Sequence, residues 1–477
     1  MSEAIDAPPV SPQNASRGFW KGVREAIRGT QQDYTEGPIG RAIFLLAVPM
    51  VLEMVLESVF AVLDVFFVSK LGPDAVAAVG ITESLMTIIY AVAIGLSMGA
   101  TATVARRIGE KNREAASIAA VQIIALGVLF ASVLGIVGGI FAPQFLELLG
   151  ASPGVVAMGT GYARLMLGGN ATVFLLYLIN AVFRGAGDAS IAMRVLWIGS
   201  AINIVLDPLL IFGIGPFPEL GVTGAAIGNN VGRGIAVLIQ LWTLARAKGG
   251  RIEIRRRHLR LDPPVMGSIL RLSGTGILQV LIGTASWLGL IRILTAFGSA
   301  AVAGYTIGIR IIIFALLPSW GLSNAAATMV GQNLGAGKPD RSERAVWIAA
   351  FYNCLFLGSV GLIFVLFAGP IIDLFTSDPA VRAFGVDCLR IISYGFVFYA
   401  YGLVLEQAFN GAGDTWTPTY LNLFCFWLWE IPLAYVFAVR LGWGPRGVFI
   451  AITIAFSTLA AVSAVLFKRG KWKEKKV

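Results

Sequence analysis

The chain has 477 residues, 57% of them hydrophobic and only 13% charged, with a mean hydropathy of +0.78. Soluble domains carry about 25% charged residues, so this much apolar surface cannot be hidden in a water-exposed globule, and the chain reads as a polytopic membrane protein. The net charge of +10 is not a nucleic-acid footprint, because the bases are strung between apolar runs instead of forming one stripe.

Residues 1–40 are polar, with Pro8, Pro9 and Pro12 and no apolar core followed by a small-residue cleavage site, so no cleaved signal peptide is expected. Phe19, Trp20, Val23 and Ile27 recur at helical spacing against Arg17, Lys21, Arg24 and Arg28. That pattern fits a helix lying on the membrane surface; a partly disordered cytoplasmic leader is the alternative.

Twelve apolar runs follow, cut by charge or Gly/Pro punctuation, at about 41–68, 76–104, 117–141, 160–181, 189–213, 222–246, 267–295, 302–330, 344–369, 386–409, 416–439 and 446–467. A span needs about 20 residues, so each run is long enough to cross as a helix. A barrel would instead show short alternating strands. The expected fold is all-α, with twelve transmembrane helices.

Bases collect at alternate connections: the leader, the loop with Arg106, Arg107, Lys111 and Arg113, a central loop with Arg246, Lys248, Arg251, Arg255, Arg256, Arg257 and Arg260, the loop with Lys338, Arg341 and Arg344, and the tail from Lys468 to Lys476. The other side is poor in bases and holds Asp74, Glu147, Glu219, Asp373 and Asp378. The positive-inside bias places both termini in the cytoplasm, in an inner or plasma membrane, with basic segments facing anionic lipid. Cys354, Cys388 and Cys425 lie far apart in apolar runs and read as small hydrophobes.

A shift of 226 residues superposes distant segments. Gly72-Pro-Asp-Ala-Val-Ala77 meets Gly298-Ser-Ala-Ala-Val-Ala303, Gly95-Leu-Ser97 meets Gly321-Leu-Ser323, and Gly109 meets Gly335. Phe183-Arg-Gly-Ala-Gly-Asp188 meets Phe409-Asn-Gly-Ala-Gly-Asp414, and Gly221-Val222 meets Gly447-Val448. The chain therefore divides into an N-lobe (41–246, spans 1–6), a basic linker (247–266), a C-lobe (267–467, spans 7–12) and a tail (468–477). Six spans per half make the repeats parallel, an arrangement that suits transport by rocking one half against the other.

An ionised side chain at bilayer depth costs about 2.5–3.5 kcal/mol on insertion scales, so each one needs a reason. Glu53, Glu57 and Asp64 share one face of span 1, and Asn203 and Asp207 lie one turn apart on span 5. The depths of Glu57, Asp64, Asn203 and Asp207 overlap toward the outer half, and Glu83 and Asn229, on spans running the other way, reach a similar level. Asn170 is a further polar candidate. At the 226 shift Asp64 faces Leu290 and Asp207 faces Leu433, so the lobes share a scaffold but differ in chemistry. Pro208 removes the bond to the Ile204 carbonyl and Pro49 the bond to Leu45, and both are candidate hinges. Two carboxylates in a partly dry pocket repel each other, which suits either a proton or a sodium ion held by Asp64, Asn203 and Asp207.

The Val-Leu-Asp64-Val-Phe-Phe-Val-Ser-Lys-Leu-Gly segment, the Asn203-Ile-Val-Leu-Asp207-Pro208 run and the paired Gly-Ala-Gly-Asp turns together resemble the multidrug and toxic compound extrusion (MATE) transporters over residues 40–467. The resemblance implies V-shaped six-helix lobes that export organic cations and amphipathic drugs in exchange for protons or sodium ions, with no cofactor. It places Asp64 on the first-span aspartate of the bacterial and archaeal branch, and Asn203 and Asp207 on its fifth-span pair. Other branches carry an acid in the seventh span, but residues 267–295 contain none. The C-lobe offers Glu406 and Glu430 without a clear match.

The alternative within the superfamily is a flippase for lipids or lipid-linked saccharides. Those tend to line their cavity with bases, whereas Arg292 and Arg310 here lie near outer ends and the N-lobe pocket is acidic. A channel would need a continuous pore. An intramembrane enzyme would need a partner for the Ser97 of Gly95-Leu-Ser-Met-Gly99, and the one histidine is His258, in the basic loop. Walker-type phosphate loops are absent, so ion gradients supply the energy. Small molecules and membrane lipids are the expected partners, and a monomer the expected functional unit. Trp287, Tyr305, Trp320, Tyr394, Phe398 and Tyr401 read as packing or interface residues more than as a drug surface, and Asp188 and Asp414 as helix caps.

Overall fold

The computed structural model describes residues 12–30, 32–246, 250–475 and 477; Pro8, Pro9, Lys248 and Lys476 lie outside them. The first half comprises α1 (Pro12–Arg28), α2 (Ile39–Ser69), α3 (Pro73–Gly109), α4 (Arg113–Ile140), α5 (Ala142–Leu148), α6 (Pro153–Gly168), α7 (Ala171–Ala186), α8 (Ala189–Phe212) and α9 (Val222–Arg246). The second comprises α10 (Pro263–Leu294), α11 (Ser299–Gly335), α12 (Pro339–Asp373), α13 (Pro379–Ser393), α14 (Phe396–Ala412), α15 (Trp416–Arg440) and α16 (Pro445–Lys468). There is no strand among the described residues.

Among the described residues ten helical segments are long and apolar enough to cross a membrane, with α6 and α7 acting as one, and the pair α13 and α14, bent by 60°, makes eleven. The twelfth expected span, α9, forms as a helix over its expected residues but is less apolar, because Asn229, Asn230, Arg233 and Gln240 interrupt it. Those polar groups turn toward other helices: Asn229 and Gln240 are buried, and Arg233 lines the central cavity. α3 and α11 each run for 37 residues, roughly 55 Å. That exceeds a hydrocarbon core of about 30 Å, so both project beyond it.

Each half has its own apolar core, built around Met86, Leu126, Phe174 and Ile179 in the first and Tyr305, Leu357, Phe396 and Phe449 in the second. A third cluster joins the halves, with Ile43, Leu46 and Met50 of α2 against Met329 and Val330 of α11 and Phe409 of α14. It lies at the end of the bundle that carries the basic loops. The repeat motifs explain why the halves can meet there. A Cβ on Gly109 would strike the Gln332 carbonyl, and one on its counterpart Gly335 would strike the Arg106 carbonyl, so α3 and α11 cross with backbones almost touching. The paired Gly-Ala-Gly-Asp turns also fold alike: Gly187 and Gly413 end α7 and α14 in the left-handed region, at φ +88° and +84°.

The aspartates after those turns do not cap the next helices with their side chains. Asp188 pairs with Arg251 of the linker at 3.6 Å, and Asp414 with Lys475 of the tail at 3.1 Å. Arg251 is buried, donating to the carbonyls of Ala186 at 2.7 Å and Gln32 at 2.5 Å. Trp472 of the tail is buried and stacked on Phe467. Part of the basic charge thus staples protein to protein, in addition to any role at a lipid surface. The leader helix α1 docks on α2 through Phe19 against Phe44 and Arg41 bonded to Glu25 at 2.9 Å, while Trp20 stays exposed.

Candidate functional site

A cavity of about 570 Å³ lies between the halves, within the usual range for small-molecule sites. Its walls come from both lobes and carry Glu53, Glu57, Arg184 and Arg233 on one side and Glu406 on the other, with Trp287, Trp320 and Phe426 among the apolar lining.

The N-lobe wall holds two distinct polar assemblies. In the first, Asn203 of α8 donates to Asp207 Oδ1 at 3.1 Å, one helical turn along the same face. Asn229 of α9 donates to Asp64 Oδ1 of α2 at 3.4 Å. The residue before Asn229 is Gly228, where a Cβ would collide with Asp207 Oδ1; its absence lets α8 and α9 close on each other. Consecutive residues of α9 therefore meet both carboxylates, and the charge of Asp64 acts on Asp207. All four polar residues are buried, and Asn203 Oδ1 has no partner. The cluster thus holds two carboxyl groups and a spare amide oxygen, with Pro208 leaving the Ile204 carbonyl without its helical donor. Such a set can take a proton or a small cation. Among the described residues no group of three or more His, Cys, Asp or Glu side chains is disposed to hold a metal ion, so a sodium ion here would rely on amide and backbone oxygens beside the two carboxylates.

The second assembly contains the other two acids of α2. Glu53 is buried and accepts on Oε1 from Arg184 Nη1 at 2.9 Å and Asn180 Nδ2 at 3.1 Å, while Gln240 donates to Asn180 Oδ1 at 2.5 Å. Glu57 accepts from the Tyr177 hydroxyl at 2.9 Å, and Arg233 donates to the Tyr90 hydroxyl at 3.3 Å. Sequence spacing put Glu53, Glu57 and Asp64 on one face, and they do share it, but Glu53 and Glu57 are engaged by α7 and line the cavity, whereas Asp64 is engaged by α9.

Glu83 is exposed; its carbonyl accepts from the Thr87 hydroxyl at 3.1 Å, and its side chain makes no hydrogen bond among the described residues. Asn170 does not join the pocket: it is fully buried at the start of α7, against Gly135 of α4, and both its side-chain polar atoms lack partners. Pro49 and Pro208 sit inside unbroken helices, whereas the one long helix with a non-helical residue is α12, at Phe367, three residues before Pro370. Arg233, Tyr90 and Tyr177 escaped the sequence reading. Arg233 lies one turn from Asn229, and the cost of an intramembrane charge flags a base as readily as an acid.

In the C-lobe, Glu406 accepts on Oε1 from Gln279 Nε2 at 2.6 Å and Asn422 Nδ2 at 2.9 Å. Glu430, at the end of a π-helical stretch Leu423–Glu430, is buried with Oε2 unpartnered.

The sequence profile of the MatE family matches residues 49–209 and 273–436, one segment in each half. The chain is 28% identical to the probable multidrug resistance protein NorM of Thermotoga maritima, over 92% of this chain and 94% of that one. It is 27% identical to an FAD transporter of Shewanella oneidensis, over 83% and 88%. A solved outward-facing multidrug resistance MATE transporter superposes with a TM-score of 0.86 at 26% identity, covering 95% of this chain and 99% of the other. With two matched segments spanning most of both lobes, a helical membrane-embedded bundle and a cavity shared between its halves, the chain belongs to the MatE family and is a transporter of the multidrug efflux type, not an enzyme.

Proposed function

We propose that the protein is a secondary antiporter that exports organic cations and amphipathic drugs in exchange for inward protons or sodium ions. The observation that carries this reading is the buried N-lobe cluster, in which Asp64 and Asp207 lie against consecutive residues of α9, Asn229 and Gly228 respectively. Two carboxylates so placed in hydrocarbon repel one another and are stabilised by a proton or a cation. An ion bound there changes the charge beside the cavity, and the two lobes respond by exchanging the end at which they meet. The packing of α3 on α11 at the basic end supports a conformation closed on that side. With the basic end cytoplasmic, this is the outward-facing state, in a multi-pass plasma or inner membrane. Residues 41–246 and 267–467 then move as the two lobes, joined by the basic linker.

The test is uptake of tetraphenylphosphonium into proteoliposomes under separately imposed proton and sodium gradients. The reading expects accumulation driven by one of them, with Asp64, Asn203 and Asp207 required. Equilibration without accumulation under either gradient would refute it.

A further inference from the structure

We infer that Glu406 is the seat of the cationic group of the exported substrate, on the wall opposite the ion-coupling cluster. The inference rests on the antiporter reading above and assigns the cargo site within it.

The symmetry between the two lobes is broken at Glu406. Under the 226-residue shift, Gln279 corresponds to Glu53 and Glu406 to Asn180. The two lobes therefore make the same contact, a carboxylate bonded to an amide between their first and fourth spans, with the partners exchanged: Asn180 donates to Glu53 at 3.1 Å and Gln279 donates to Glu406 at 2.6 Å. The N-lobe carboxylate has a base beside it, Arg184 at 2.9 Å. The counterpart of Arg184 is Asn410, a neutral residue, buried, with both amide atoms unpartnered, lining the same cavity. Among the described residues no base lies within ion-pairing distance of Glu406.

The charges lining the cavity are thus unequal. Glu53 is matched by Arg184, and Glu57 accepts from the Tyr177 hydroxyl on the wall that also carries Arg233, whereas Glu406 is bonded only to neutral amides on a wall with no base beside it. Both of its side-chain hydrogen bonds among the described residues fall on Oε1, and Oε2 meets no donor among them. An ammonium or phosphonium group supplies the missing charge, the Asn410 carbonyl offers a further acceptor, and Trp287 and Phe426 in the same cavity offer aromatic faces to a cation. An anionic cargo would find Arg184 already engaged and Glu406 repelling it.

The experiment measures binding of tetraphenylphosphonium and of an uncharged amphiphile of similar size to purified wild type, Glu406→Gln and Asn410→Arg. Glu406→Gln keeps the shape and an acceptor oxygen, while Asn410→Arg rebuilds the N-lobe ion pair. Both variants are expected to raise the Kd for the cation at least tenfold, and Glu406→Gln to leave the neutral ligand within twofold. An unchanged cation Kd in Glu406→Gln, or an equal loss for both ligands, would overturn the inference while the antiporter reading stands. If wild type binds and accumulates FAD but not tetraphenylphosphonium, the cargo reading and this inference fall together.

Discussion

The two lobes share one scaffold and differ in what they submerge. Where the N-lobe places Asp64, Asn203, Asp207 and Asn229 in contact, the C-lobe has Leu290, Trp429, Leu433 and Ala455 at the corresponding positions. Leu290 and Ala455 are fully packed in its core. Conversely, the C-lobe presents an unpaired carboxylate to the cavity where the N-lobe presents an ion pair. Charges are costly at bilayer depth, and on the proposed reading their unequal placement in the two halves separates two tasks: ion coupling in the first lobe, cargo charge recognition in the second. A duplicated scaffold can divide labour in this way because the glycine contacts that let the halves meet at the basic end do not depend on the polar residues.

The sharpest way to break the comparison is to make the N-lobe as apolar as its twin. Asp207→Leu or Asp64→Leu copies the C-lobe residue, and either is expected to reduce gradient-driven export in proteoliposomes to the protein-free background. Asp64→Asn and Asp207→Asn should do the same while the protein stays folded. Full export by any of these variants would contradict the assignment.

Next in size is the ion pair the C-lobe lacks. Glu53→Gln strands Arg184 beside an amide, and removing one partner of a buried pair costs about 3–5 kcal/mol. A fall in Tm should be evident, and Glu53→Gln with Arg184→Asn, which copies the C-lobe residues at those two positions and leaves no charge to strand, should recover most of it. Glu406→Gln has no base to strand, and its Tm should stay close to wild type.

Smaller again is the effect at the helix crossing that both lobes share. Gly109→Ala and Gly335→Ala insert a methyl group where α3 and α11 meet, and such overpacking costs about 1–3 kcal/mol. On the proposed rocking of the lobes that contact is made only while the basic end is closed, so the expected readout is a shift toward the state open at that end, seen as a longer distance between spin labels on the loops after α3 and α11. An unchanged distance distribution would show that the crossing does not set the closed state.

The smallest effect lies outside the membrane, in the segment joining α1 to α2. Burial disfavours the charge of Asp33, but the Thr35 amide and hydroxyl bonds at 2.9 and 2.6 Å, with Lys111 and Lys338 nearby, hold its carboxyl below the ordinary aspartate value. A depressed folded value gives stability that is present above about pH 4, the unfolded value, and is lost as pH falls through the folded value. Asp33→Asn should remove that acid-side slope from a Tm–pH profile, lowering the neutral-pH Tm slightly and leaving the Tm at acid pH little changed.

The helices and the repeat were legible because their signals are local: long apolar runs, and Gly-Ala-Gly turns whose last glycine needs the left-handed region. The pairing of Asn203 with Asp207 was legible too, since one turn separates them. The division of the α2 acids between two assemblies was not, because spacing fixes the face of a helix and not which neighbour covers each level of it. Asn170 illustrates the opposite error, where a polar residue near the right depth is walled off by α4 packing. Asp188 and Asp414 read as caps from sequence, and the bases that claim them, Arg251 and Lys475, lie 63 and 61 residues away along the chain. Arg184 sat in a recognised motif, yet the contrast with Asn410 acquired meaning only once Glu53 and Glu406 were seen at equivalent contacts.

The most direct measurement of the central claim is the equilibrium number of coupling ions bound per purified protein, by sodium-22 binding and by proton uptake, in wild type, the Asp64→Asn/Asp207→Asn double variant and Glu430→Gln. The account predicts saturable binding in wild type and Glu430→Gln and none in the double variant. Binding that survives in the double variant, or disappears in Glu430→Gln, would place the coupling site in the other lobe and contradict it.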